Sequence, residues 1–158
     1  MHTLKGIVLL FFAFNTFVLT AQTTQDTIPS DSLNTDLLDS LIFDTVNRER
    51  LKIKEAKLFW SDELMAACRA QSERMLEEGK VSYSDAKAGE CILTMTFPSG
   101  EETYGSLAQS IVQRWLDSPG HKKLILGSFF IEGGAGTAFS YKKGEGFTLM
   151  ASFQVSYF

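Results

Sequence analysis

Histidine is nearly absent from this chain of 158 residues, which holds only His2 and His121. That scarcity weighs against any metal centre built mainly from imidazoles. Cysteine is as rare, with Cys68 and Cys91 alone, so at most one intrachain disulfide can form. No run approaches the roughly 20 uninterrupted apolar residues of a membrane-spanning helix, because Asn15 and Thr16 break the longest one. No cluster of Lys and Arg offsets the formal net charge of -4, which disfavours the phosphate contacts that dominate nucleic-acid affinity. A G-x-S-x-G nucleophile elbow is missing, and so is an internal repeat. The glycine-rich "GGAGTAF", Gly133 to Phe139, lacks the Lys-Ser/Thr ending of a phosphate loop and precedes a strand, so it reads as a close approach of chain to sheet.

What is present begins with "MHTLKGIVLLFFAFNTFVLTAQ": a basic Lys5, an apolar stretch from Gly6 to Leu19 and small residues near Ala21. This is the pattern of a signal peptide over residues 1–21, and it predicts a secreted or periplasmic protein with no membrane span after cleavage. Cleavage removes His2 and Lys5, leaving one histidine and moving the charge from -4 to -5. Residues 22–36, "QTTQDTIPSDSLNTD", offer little to bury and read as a flexible polar spacer. The remaining 37–158, in a chain that is 44% apolar and 22% charged, suits one globular domain.

Within that domain, Leu37, Leu38, Leu41, Ile42, Thr45 and Val46 recur at helical spacing and predict a helix ending near Arg50 or Lys54. A second helix is capped by Ser61 and stopped by Gly79, with Leu64, Cys68, Gln71 and Met75 as its buried stripe and Met65, Ala67 and Ser72 beside it. "ECILTMTF", Glu90 to Phe97, reads as a strand. A third helix spans about Tyr104 to Asp117, halted by "SPG", and a short helical piece covers His121 to Leu126. "GTAFSY" and "FTLMASFQVSYF" flank "KKGEG" as a hairpin, with Phe147, Leu149, Ala151, Phe153, Val155 and Tyr157 on one face. The sum is an α+β domain, an antiparallel sheet between layers of helices. A bridge from Cys68 to Cys91 would stabilise it by roughly 3 kcal/mol; two buried thiols fit the sequence equally well.

Four segments in order carry a further signal. "VNRERLKIKEAKLFWSDELMAACRAQSERM" places Asn47 and Arg50 at N-x-x-R spacing, "GECI" opens the first long strand, "WLDSPGHKKLIL" joins the third helix to the short one, and "GFTLMASFQVSYF" closes the chain. Together they resemble the CAP superfamily, or SCP domain, in its short bacterial form, over about Leu38 to Phe158. The resemblance implies an α-β-α sandwich and a cleft built from two histidines and two acidic residues, which in some members binds zinc. His121 matches the second histidine and Glu90 the first glutamate. Tyr83 stands where the first histidine is expected, with Ser82 or Ser84 selected by a one-residue shift, and Ser118, beside Asp117, stands where the second glutamate is expected. Cys91 replaces the usual asparagine of G-E-N.

The depleted cleft argues for binding rather than turnover. A catalytic zinc commonly takes three protein ligands, and a tyrosine must lose a proton of pKa near roughly 10 to become a good one. Zinc is therefore not expected, while carboxylates leave weak Ca²⁺ or Mg²⁺ binding open. The alternative is a metal-independent hydrolase, with His121 as base, Glu90 orienting it and Ser82, Ser84 or Ser118 as nucleophile. Cys91 as nucleophile needs exposure, which a strand position beside Ile92 does not favour. The expected ligand is a lipid, a cell-envelope component or a protein.

Overall fold

In the computed structural model, residues 27–29, 31–86, 88–99 and 102–157 are described. The proposed signal peptide, with His2, lies outside them, as do residues 22–26 of the spacer. The elements run α1 (Thr35–Lys52), β1 (Phe59–Trp60), α2 (Asp62–Glu78), β2 (Gly89–Phe97), α3 (Tyr104–Leu116), α4 (Pro119–Leu126), β3 (Glu132–Lys142) and β4 (Gly146–Ser156). The strands form one sheet in the order β1-β3-β4-β2; β1 lies parallel to β3, and the other pairs are antiparallel. Helix α2 covers one face, packing on β3 and β4, while α1, α3 and α4 cover the other. The α-β-α sandwich of the α+β class is therefore the observed architecture.

Local chemistry explains most of these boundaries. Asn34 caps α1 by accepting the amide of Leu37, the first apolar position that the spacing singles out, three residues on. Ser61 caps α2, and Gly79 ends it in the left-handed conformation at φ 61°, where a side chain would be strained. Thr103 and Ser106 form a reciprocal capping box at the start of α3. All five expected apolar residues of α3, Leu107, Ala108, Ile111, Val112 and Trp115, are buried. On α2 the stripe holds at Cys68, Gln71, Ser72 and Met75; Leu64 and Met65 are half-buried, and Ala67 is exposed.

Several expectations need correction. "SPG" ends α3 but also begins α4: Ser118 is the cap and Pro119 the first helical residue, where its missing N–H costs nothing. β3 starts four residues before "GTAFSY", because the glycines belong to it. A Cβ on Gly134 would sit 2.4 Å from the Met65 amide nitrogen, and one on Gly136 would sit 2.2 Å from that of Arg69. These glycines let the backbone of α2 lie directly on the sheet. β1 has only two residues, too few for a periodicity signal. Tyr157 lies beyond the end of β4 and is exposed, unlike the five residues before it in the alternation. Ile28 and Leu33, inside the stretch read as a spacer, are buried in the main core, and Ile28 donates its amide to Glu102. Their polar surroundings hid two apolar anchors.

The N-x-x-R pair is structural. Asn47 accepts the Leu58 amide at 2.8 Å and donates to the Leu58 carbonyl at 3.2 Å. Arg50, fully buried, donates to the carbonyls of Ala56, Ile125 and Gly127, binding the end of α1 to the end of α4. Burial lowers its pKa, and the three carbonyls take up donors that would otherwise be stranded.

Candidate functional site

Alternation along β2 sends Glu90 to the face under α2 and Cys91 to the opposite face. A buried carboxylate needs partners, and Glu90 finds them on both oxygens. Oε1 accepts from Gln154 Nε2 at 2.9 Å and from Ser152 Oγ at 3.4 Å, both on β4. Oε2 accepts the backbone N–H of Ser84 at 2.8 Å, which pins the loop between α2 and β2. Helix α2 holds the same loop from the other side. Gln71 donates to the Ser82 carbonyl, and Arg74 donates to the Tyr83 carbonyl at 3.3 Å, to Ser82 Oγ at 3.4 Å and to Gln71 Oε1 at 2.6 Å.

The clamped loop presents Tyr83, 61% exposed, to α4. Its phenol oxygen lies 3.0 Å from His121 Nε2, with the two rings tilted at 59°. His121 is the third residue of α4 and half-buried. Burial lowers its pKa below the usual histidine range, so the neutral imidazole is favoured at pH 7. No carboxylate pairs with the ring among the described residues. Which partner donates between Tyr83 and His121 depends on the tautomer.

The structure thus joins Tyr83 directly to His121, and joins Glu90 to their loop through Ser84. It does not bring in Asp117 or Ser118. Asp117 is exposed at the end of α3 and accepts from Gln113 at 2.8 Å; Ser118 caps α4 without a side-chain hydrogen bond. Among the described residues no serine hydroxyl bonds to the His121 ring: Ser82 Oγ accepts from Arg74 and Ser84 Oγ from the Ala86 amide. Glu90 is spent on its own partners and does not orient His121. The geometry gives the hydrolase arrangement no support.

The cysteines are not bridged. Cys68, on α2, donates to the Gly134 carbonyl on one side of the sheet, while Cys91 packs in the main core on the other and points its thiol at the His121 carbonyl, 3.8 Å away. Burial pushes the Cys68 thiol up to about 12 and raises that of Cys91 further, so neither is a ready nucleophile.

Sequence reasoning missed the residues that hold the site. Gln154 and Ser152 fall on β4 positions that alternation assigns to the less apolar face, which α2 covers. Arg74 gave no signal. Gln71 did, as an amide inside an otherwise apolar helical stripe.

The family model for the cysteine-rich secretory protein family, CAP, matches residues 43–153. The chain belongs to that family. The solved structure of MpPR-1i superposes on this CAP domain with a TM-score of 0.57 at 14% identity, covering 79% of this chain and 90% of the other. An extracellular SCP-domain protein from Bacillus anthracis matches at 0.55 and 20% identity, over 77% of this chain but 41% of the larger protein. An outer surface protein from Borrelia burgdorferi matches at 0.56 and 12% identity, over 83% of this chain and all of the other. At these identities the likeness establishes the CAP fold alone. No curated protein sequence matches the chain. No helix among the described residues is long and apolar enough to cross a membrane.

Proposed function

We propose that this CAP domain is an exported, non-catalytic binding module whose ligand meets the surface at Tyr83 and His121. The observation that carries the reading is the closed pair itself. Nε2 of His121 is held by a phenol, and Glu90 is saturated by three donors. The donor set does not fit zinc: one imidazole is engaged, one phenol must first lose its proton, and the thiols are buried. Export is supported by the signal-peptide pattern of residues 1–21 and by extracellular and surface proteins among the structural relatives. The ligand classes that suit an exposed aromatic beside a neutral imidazole are a lipid, a cell-envelope component or a protein.

The test is thermal unfolding of wild type and His121→Ala against sterols, fatty acids, cell-wall fragments and divalent metals. A ligand of the native state at 100 times its Kd adds roughly 2.7 kcal/mol. Stabilisation of wild type by one organic class, lost in His121→Ala, supports the reading. Peptide or ester hydrolysis that disappears in His121→Ala would overturn it.

A further inference from the structure

We infer that a second groove, which shares no residue with the Tyr83–His121 pair, binds an acidic glycan through Arg48 and Arg114. The groove encloses about 930 Å³. One bank is α1, where Thr45, Arg48, Glu49 and Lys52 share a face at i, i+3, i+4 and i+7. The other bank is α3, with Gln109, Ser110, Gln113 and Arg114. Met95 and Pro98, at the far end of β2, join Leu116 in supplying apolar surface. Thr96 lies six residues along β2 from Glu90, about 20 Å away.

The charges within the groove do not cancel. Lys52 is paired with Glu49 at 2.6 Å. Glu102 accepts from Ser106 Oγ at 2.7 Å beside the α3 N-terminus, whose helix dipole already compensates an acid. Arg48 donates at 2.6 Å to the neutral hydroxyl of Thr45, and Arg114 has no acidic partner among the described residues. Two guanidinium groups are left to answer to a ligand, on a chain whose net charge is -4. Such forks take carboxylates with two parallel hydrogen bonds.

The lining also carries groups that both donate and accept: Gln109, Ser110, Thr96, and the Gln113 amide, whose nitrogen already serves Asp117. Sugar hydroxyls also donate and accept, and the apolar surface suits the C–H faces of sugar rings. A carboxylated sugar chain offers partners to the guanidinium groups, the amides and the apolar surface alike.

The test is calorimetric titration of the purified chain with tetragalacturonate at low ionic strength, with neutral maltotetraose as the uncharged control. Tetragalacturonate is expected to bind, more weakly as salt is added, and maltotetraose to bind far less. Arg48→Gln with Arg114→Gln should weaken binding at least about ten-fold, with the circular dichroism of wild type retained. Should that double variant fold poorly, Arg114→Gln alone serves, with a smaller loss expected. His121→Ala should leave the affinity unchanged, which separates this groove from the cleft. No binding by wild type, or equal binding by the arginine variants, would overturn the proposal. Equal binding of tetraglutamate would overturn the glycan in favour of an acidic peptide.

Discussion

On the face of the sheet that meets α1, α3 and α4, β4 presents Phe147, Leu149, Ala151, Phe153 and Val155, all buried in one apolar cluster. On the face that meets α2, the same strand presents Met150, Ser152 and Gln154, beside Glu90 and Ile92 of β2 and under Cys68, Gln71, Ser72 and Met75 of α2. Both faces are buried, yet they are held differently. Apolar burial is non-directional and fixes which layers adhere. Hydrogen bonds are directional, and on the α2 face they fix where the loop carrying Tyr83 sits. The candidate site therefore grows out of the polar face and only meets α4, from the other layer, at His121.

That contrast can be broken from either side. Phe153→Ala, which removes a fully buried ring 6.0 Å from that of Trp115, should cost about 3–5 kcal/mol in urea unfolding. A cost under about 1 kcal/mol would mean that the apolar face is not the main support.

The two faces are also linked past the outer edge of β3. Arg69, on α2, reaches Asp39 Oδ2 on α1 at 2.8 Å and also pairs with Asp36, while Thr137 Oγ1 donates to Asp39 Oδ1 at 2.7 Å. Burial outweighs these partners and raises Asp39 from 3.8 to about 6. A carboxyl raised in the folded state binds its proton more tightly there than in the unfolded chain. Its contribution to stability is therefore complete below pH 3.8 and is lost as pH rises through about 6. The expected size is about 3 kcal/mol at most, read as the difference in pH slope between wild type and Asp39→Asn. Identical slopes would refute it.

Gly136→Ala forces a Cβ against the backbone of α2 and should destabilise by about 2 kcal/mol, although alanine adds apolar surface and reduces backbone freedom in the unfolded state. A stabilised variant would show that α2 can lift from the sheet. Glu90→Gln should cost about 1–2 kcal/mol and speed hydrogen exchange at the Ser84 amide while leaving Trp115 fluorescence unchanged. Uniform loosening of both faces would count against their independence. The smallest effect belongs to the thiols: a reducing agent should leave Tm unchanged, and a drop of several degrees would restore the disulfide.

Much of this was legible in advance, where a local rule operates. The caps Ser61 and Gly79, the buried face of α3 and the odd positions of β4 follow from periodicity and capping chemistry acting within a few residues. The motif order was equally local, and it led to the family through His121 and Glu90. Ile28 and Leu33 escaped because an isolated apolar residue among threonines and serines carries no period.

By itself, then, the sequence determined the class of fold, the positions of most elements, and the shortage of imidazoles that limits the chemistry. Only the tertiary structure decided what those residues do. Glu90, expected beside His121, is turned to the opposite side of β2 by strand alternation and joins Ser84, Gln154 and Ser152, the last two more than 60 residues away in the chain. Tyr83 meets His121 because two separate elements grip its loop. Cys68 and Cys91 stay apart because a sheet lies between them. Such pairings depend on which layer each side chain enters, and that choice is made by packing between distant segments rather than by any pattern within one of them.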